Sequence, residues 1–293
     1  MESKHDDAQW THIEFKELEL GDRIGGGGVG VIYKGWFRNT QVALKTLFDT
    51  RVDETLKKEY LDELLVMSKL KHSNIVQFMG ACMTPPNLCF VMELCTGSLY
   101  SLLHEKRETF TEHDVMQMSI DIGSAVEYLH AQEPVIIHRD IKSHNVLVAP
   151  NGAFKLCDFG LVNSKITQAG TPCYMAPELL DGKAFNKSVD VYAFAVLLCE
   201  AFTREIPFYM CPVMEIRDKV MNGDRPRLPT YGAPPRLVAM IKRMWDEEPA
   251  QRPNFQEIVD VLIEVNDAMP RSHHTNQLQA GTSGDALDDL LGK

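Results

Sequence analysis

Asp140, Asn145 and Asp158 are the residues from which chemistry can be read first. In Ile137-His138-Arg139-Asp140-Ile141-Lys142-Ser143-His144-Asn145 a carboxylate and an amide lie five positions apart. Cys157-Asp158-Phe159-Gly160 adds a second carboxylate downstream. Mg2+ takes carboxylate and amide oxygens together with phosphate, a role that suits Asn145 and Asp158. Asp140 suits positioning a hydroxyl and accepting its proton. Either stretch alone reads as an ordinary loop; the two in this order read as a base beside a metal site.

Glycines 25, 27 and 30 of Ile24-Gly25-Gly26-Gly27-Gly28-Val29-Gly30-Val31-Ile32-Tyr33 fit G-x-G-x-x-G. A dinucleotide site needs a helix to start within those glycines. Here Val31-Ile32-Tyr33 reads as a strand, which predicts a hairpin flap able to lie over phosphates, with a merely flexible hairpin as the alternative. Val42-Ala43-Leu44-Lys45 reads as a strand ending in a cation. Glu63 falls inside the apolar stripe of a predicted helix, and a carboxylate on a buried face needs a partner. Lys45 is the predicted partner, its ammonium held against phosphate oxygens.

The elements that position these groups follow from periodicity. Phe15 to about Phe48 is strand-like. Asp53–Leu70 reads as a helix with Leu56, Tyr60, Glu63, Met67 and Leu70 on one face. Asn74–Met79 and Leu88–Leu94 read as strands joined by a turn at Pro85-Pro86. After Gly97 come helices at Glu112–His130, Asp190–Ala201, Leu237–Trp245 and Phe255–Val265. A hairpin, Asn145–Val148 with Phe154–Cys157, turns at Pro150-Asn151-Gly152. Strands first and helices later predict an α+β chain in two lobes. Residues 1–12 read as a loose lead-in, and the polar tail from about Pro270 as disordered.

Composition narrows the class. The chain has 293 residues, 44% hydrophobic and 24% charged, which excludes a mostly disordered or collagen-like protein. A formal charge of −11 lacks the footprint of a nucleic-acid binder. The 7 cysteines form no Cys-x-x-Cys pair and read as reduced cytosolic thiols. The polar N-terminus reads as no signal peptide. The most apolar run, Val191–Phe202, is too short to span a bilayer and carries Glu200. The expectation is a cytoplasmic chain without membrane insertion.

The ordered set of these motifs resembles a eukaryotic protein kinase domain from about Phe15 to about Met269. It also takes in Ala176-Pro177-Glu178, Asp190, and Arg252 before Pro253. Trp10-x-x-Ile13-x-Phe15-x-x-Leu18, Lys71-His72-Ser73-Asn74-Ile75-Val76 and Gly170-Thr171-Pro172-Cys173-Tyr174-Met175 resemble the tyrosine-kinase-like group, which includes Raf and mixed-lineage kinases. The resemblance implies the bilobal protein kinase fold: a small antiparallel β-sheet lobe with one main helix (15–94) and a larger, mainly helical lobe (95–269). Outside it lie the lead-in 1–14 and the tail 270–293.

The implied function is transfer of the γ-phosphoryl group of ATP to protein Ser/Thr hydroxyls, with Mg2+ or Mn2+ as the metal. Gly25, Gly26, Gly27, Gly28 and Gly30 would cover the phosphates. Lys45, held by Glu63, would grip them. Ile24, Ile32, Ala43, Met92, Glu93, Cys95 and Leu147 would hold the nucleotide, with Met92 limiting the pocket behind adenine and Glu93 to Cys95 forming the hinge. Asp140 would be the base, with Asn145 and Asp158 as metal ligands. Lys142 and Thr171 fall where Ser/Thr kinases carry a lysine near the γ-phosphate and a threonine near the base. Met67, Phe78, His138 and Phe159 would stack between the lobes, and Glu178 would pair with Arg252. Ser164 and Thr167 are the implied regulatory hydroxyls, with Arg139 meeting their phosphate. The implied partners are ATP and a protein substrate, with oligomeric state left open. A pseudokinase scaffold and a dual-specificity kinase are the alternatives. Departures from the family pattern are Val29 at the glycine-loop tip, a hinge one residue short, Ala195 for glycine, and Lys71 before His72. Cys157, beside Asp158, is expected to be the thiol that an ATP-site electrophile modifies first.

Overall fold

The computed structural model describes residues 11–27, 30–47, 54–84, 87–106, 109–164 and 168–270. Five antiparallel strands open the chain: β1 (Leu18–Gly27), β2 (Gly30–Phe37), β3 (Thr40–Leu47) and, after helix α1 (Glu54–Met67), β4 (Phe78–Thr84) and β5 (Asn87–Glu93). Their order in the sheet is β1-β2-β3-β5-β4. Alternation decides the two faces. Val42 and Leu44 point into a cluster with Ile13, Leu18, Phe37, Cys82, Cys89 and Val91. Phe90 lies on the opposite face, with Ala81, Leu88 and Leu64 of α1. Ala43 and Lys45 therefore share the face that α1 covers. Cross-strand register sets Ile32 beside Lys45, and Ala43 beside Met92.

Two sequence expectations shift here. The lead-in is not loose as far as residue 12. Ile13 N–H donates to the Ala81 carbonyl at 3.0 Å and Ala81 N–H to the Thr11 carbonyl at 3.1 Å. Gly80 permits this approach, because an added Cβ would stand 2.6 Å from the Thr11 oxygen. The strand expected at Asn74–Met79 begins only at Phe78 and runs to Thr84. Asn74 and Val76 are drawn away instead. The Asn74 carbonyl accepts from Leu156 N–H, and Val76 N–H donates to the Leu156 carbonyl. Pro85-Pro86 and the tail from residue 271 lie outside the described residues.

The second half is helical around a small sheet. β6 (Gly97–Ser98), a π turn over Ser101–Glu105 and α2 (Glu112–His130) are followed by β7 (Val146–Val148) and β8 (Phe154–Leu156). Then come α3 (Pro177–Leu180), α4 (Ser188–Thr203), α5 (Val213–Met221), α6 (Pro235–Met244) and α7 (Phe255–Ala268). The small sheet runs β6-β7-β8. Thr111 and Asp114 cap α2 reciprocally, each side chain accepting the other's backbone N–H. α4 is buried from Ser188 through Ala201, and α2 and α6 pack on it. α5 was not apparent in the sequence.

Candidate active site

The glycine segment forms a hairpin. Gly25, Gly26 and Gly27 on β1 pair with Ile32, Val31 and Gly30 on β2. A strand follows Gly30, so the dinucleotide reading fails. Gly30 also lies against β3, where an added Cβ would stand 2.7 Å from the Thr46 carbonyl oxygen. Gly28 and Val29 lie outside the described residues. Ile24 is exposed on the same strand.

Lys45 Nζ donates to both oxygens of Glu63, at 2.5 and 2.7 Å. Asp158 Oδ1 lies 3.9 Å away. Burial disfavours the ammonium, yet the Glu63 and Asp158 carboxylates outweigh it and hold Lys45 above its ordinary value. Lys45 is thus a fixed cation at the mouth of the hairpin. Ala43 is buried beneath it, and half-buried Met92 stands opposite Ala43.

The last residue of β5 ties the two lobes together. Glu93 N–H donates to the Gln77 carbonyl. The Glu93 carboxylate accepts from Gln77 N–H at 2.6 Å and from Lys155 Nζ at 2.8 Å. Cys95 follows, between β5 and β6. Leu147 on β7 pairs with Ser98 on β6.

On the helical side Lys142, Thr171 and Asn145 converge on Asp140. Lys142 Nζ donates to Asp140 Oδ2 at 2.6 Å and to Thr171 Oγ1 at 2.8 Å. Thr171 Oγ1 donates to Asp140 Oδ1 at 2.9 Å. Asn145 Nδ2 donates to Asp140 Oδ2 at 3.0 Å and to its carbonyl at 2.8 Å. Burial pushes the Asp140 carboxyl up, but the Lys142 charge and these hydrogen bonds outweigh it and leave it below the ordinary carboxylate value. Asp140 is an ionised acceptor with both oxygens oriented.

The loop that carries Asp140 hangs from α4. Asp190 accepts from the backbone N–H groups of His138 and Arg139 at 2.9 and 2.8 Å, and lies 2.8 Å from His130 Nε2. Arg139 and Asp158 both have positive φ, at 69° and 66°. Such strained non-glycine backbone persists only where its surroundings over-determine it. His138 packs edge-on to Phe159, their ring centroids 5.1 Å apart. Phe159 and Met67 belong to one buried cluster, against which Phe78 packs. Arg252 grips Glu178 with two hydrogen bonds of 2.6 and 3.0 Å, also as expected.

Asn145 and Asp158 supply an amide and a carboxylate oxygen. Asn145 spends its N–H2 group on Asp140, so its side-chain oxygen is the atom it could offer a metal. Among the described residues no group of three or more His, Cys, Asp or Glu could hold a metal by itself. Two hard oxygen donors fit a divalent cation whose coordination is completed by phosphate and water.

Arg139 Nη1 donates to the carbonyls of Leu161 and Ser164, at 3.0 and 2.7 Å. Ser164 therefore stands at the arginine, whereas Thr167 lies outside the described residues. The expectation for Cys157 needs correction. Burial, reinforced by Asp158, raises its thiol well above the usual range, against the lowering expected from nearby cations. Lys45 opposes this shift and is outweighed.

Sequence reasoning missed Glu200. Buried on α4, it accepts from Ser143 Oγ at 2.8 Å and Tyr174 Oη at 2.6 Å, and lies 3.0 Å from His104 Nε2. It ties the loop after Asp140 to the turn after Thr171. The available signal was a carboxylate inside an apolar run. A cavity of about 590 Å³, lined by His130, Ile137, Phe185 and Arg252 among others, lies in the helical part and is not lined by Lys45, Asp140, Asn145 or Asp158.

Residues 18–262 match the family model described as protein tyrosine and serine/threonine kinase. The chain is 37% identical over 260 residues to the probable serine/threonine-protein kinase drkB of Dictyostelium discoideum, covering 86% of this chain and 38% of that protein. It is 36% identical over 261 residues to serine/threonine-protein kinase STY46 of Arabidopsis thaliana, covering 86% and 45%. With STY17 of the same plant it shares 34% over 265 residues, covering 88% and 46%. The chain spans less than half the length of these relatives.

Proposed function

This chain belongs to the protein tyrosine and serine/threonine kinase family, and from that premise we propose that it transfers the γ-phosphoryl group of ATP to serine and threonine hydroxyls of protein substrates, with Mg2+ as its metal. The observation that carries the Ser/Thr assignment is the convergence of Lys142 and Thr171 on Asp140. The acceptor hydroxyl approaches Asp140, which aligns it and takes its proton as oxygen bonds to the γ-phosphorus. The bond to the β–γ bridging oxygen breaks and ADP leaves. Lys142 balances charge beside the base, and Lys45 holds the α- and β-phosphates under the glycine hairpin. Asn145 and Asp158 hold the metal, which when bound neutralises charge on the phosphate oxygens. Ile24, Ile32, Ala43, Met92 and Leu147 enclose the adenine, and the backbone around Glu93 and Cys95 reads its edge. Little covalent work falls to the protein; the catalysis is positioning and charge stabilisation.

The catalytic unit covers residues 15–269. Arg139 is the receiver for phosphate on Ser164 or Thr167, a charge-assisted pair that would order the segment after Phe159. The 7 cysteines are all free thiols, which fits a reducing cytoplasm. No described helix is long and apolar enough to cross a membrane. Incubating the purified chain with radiolabelled Mg-ATP and a mixed protein substrate, followed by phosphoamino-acid analysis, tests the reading. Label on phosphoserine and phosphothreonine is expected. Label mainly on phosphotyrosine would overturn the specificity, and ATP binding without transfer would support a scaffold.

A further inference from the structure

The cavity in the helical part has an apolar wall made by Val135, Ile137, Phe185, Val191, Pro249 and Pro253. These come from three separate stretches: the residues after α2, those at the start of α4, and those before α7. Its volume of about 590 Å³ is that of a small-molecule site, and such sites are mostly apolar with a few placed polar groups.

The charges in the wall are already engaged. Arg252, its side chain fully buried, donates to both oxygens of Glu178 and to the carbonyls of Ser188 and Asp246. His130 Nε2 lies 2.8 Å from Asp190 Oδ2. The rim carries both signs, with Lys187 in the wall and exposed Glu133 and Glu248 in the adjoining turns. Nothing in this arrangement favours a charged ligand.

One polar group is left over. Ser188 lines the cavity in the first turn of α4, and its buried hydroxyl has no hydrogen-bond partner among the described residues. Its backbone is satisfied, since Ser188 N–H donates to Asn186 Oδ1 at 2.8 Å. A buried hydroxyl left without a partner is costly. Serine turns about its Cα–Cβ bond among staggered positions, so a molecule in the cavity can complete it.

The same wall touches the loop that carries Asp140. The Arg139 guanidinium stands over the Phe185 ring, 4.8 Å from its centroid. Arg139 Nη1 in turn holds the carbonyls of Leu161 and Ser164. An occupant that fixes Phe185 therefore steadies Arg139 and the segment after Phe159.

We propose that this cavity is a binding site for an uncharged, largely apolar molecule that carries one hydrogen-bonding group for Ser188, and that occupancy steadies Arg139 and the segment it holds.

The test uses the full chain and N-phenylnaphthylamine, an uncharged aromatic probe with a single N–H, whose fluorescence rises in apolar surroundings. Titration should show saturable binding of one equivalent. Saturating Mg-ATP should leave the affinity within about twofold, because no residue proposed to hold the nucleotide lines the cavity. Val135 is 49% exposed at the mouth, so Val135→Trp can place a large ring there, and it should weaken binding at least about tenfold. Ser188→Ala removes a hydroxyl that no described group uses, and it should weaken binding about threefold with the thermal melt preserved. Amide exchange over residues 159–164 should slow when the probe is added to the wild type and not when it is added to Val135→Trp. Neither readout depends on phosphotransfer. Absence of saturable binding below about 100 μM, displacement by Mg-ATP, or unchanged affinity in Val135→Trp would overturn the site. Unchanged affinity in Ser188→Ala would overturn the part given to its hydroxyl. Binding that leaves exchange over residues 159–164 unaltered would overturn the link to Arg139.

Discussion

The two sides of the cleft are held by different means. On the sheet side Lys45 is held chiefly by Glu63, in an ion pair that spans two elements, β3 and α1, with the Asp158 carboxylate 3.9 Å away. On the helical side Asp140 receives hydrogen bonds from Lys142, Thr171 and Asn145. Its loop is pinned again from α4 through Asp190, and through Glu200 by way of Ser143. A displacement of α1 would break the first arrangement at a stroke. No single displacement of comparable size undoes the second. The Lys45 ion pair is adjustable, whereas the Asp140 geometry is built into the core.

Asp190→Ala strikes the rigid side and should have the largest effect. It leaves the buried backbone donors of His138 and Arg139 without their acceptor, at roughly 1–3 kcal/mol each. Urea unfolding should show a stability loss of that order, accompanied by loss of transfer. A variant as stable as the wild type would mean that the loop does not hang from α4.

Lys45→Met strikes the adjustable side. Transfer should fall by about 100-fold, or about 2.7 kcal/mol, while the fold persists. Glu63, freed of its partner in a buried position, is then expected to take up a proton. Steady-state kinetics beside a thermal melt separates these effects. Unfolding in place of inactivity would erase the contrast between the two sides.

The smallest effect is an absence. The Asp140 carboxyl lies below its ordinary value, because Lys142 and Thr171 outweigh burial. A group depressed in this way is ionised above the ordinary carboxylate range and loses its charge only as pH falls through its lowered value. The profile of kcat/KM should therefore show no acid limb from Asp140 between about pH 5 and 8. A limb near pH 6 that disappears with Asp140 would contradict the geometry.

Local signals made much of this legible. Glu63 was readable because a carboxylate inside an apolar stripe demands a cation, and Lys45 at the end of a strand was the one chosen. The hairpin followed from a strand directly after Gly30, and the helix read at Glu112–His130 has those bounds as α2. Glu200 sent the same signal as Glu63, but its partners Ser143, Tyr174 and His104 come from three separate segments that only the tertiary fold assembles. α5 escaped because Val213 and Met214 face outward and blur its apolar period. The docking of Thr11 and Ile13 on Ala81 depends on the space at Gly80, and spacing carries no trace of it. Cys157 was misjudged because sequence displays the nearby cations but not the burial that overrides them.

The central claim is that Asp140 aligns and deprotonates the acceptor in a phosphoryl transfer from ATP. Asp140→Asn preserves size and one accepting oxygen while removing the base. Single-turnover transfer from Mg-ATP, measured with nucleotide affinity on the same preparation, tests the claim directly. The account predicts that transfer falls by at least about 100-fold while nucleotide affinity stays within about threefold, because Asp140 meets the acceptor and not the nucleotide. Transfer at the wild-type rate by Asp140→Asn would contradict it.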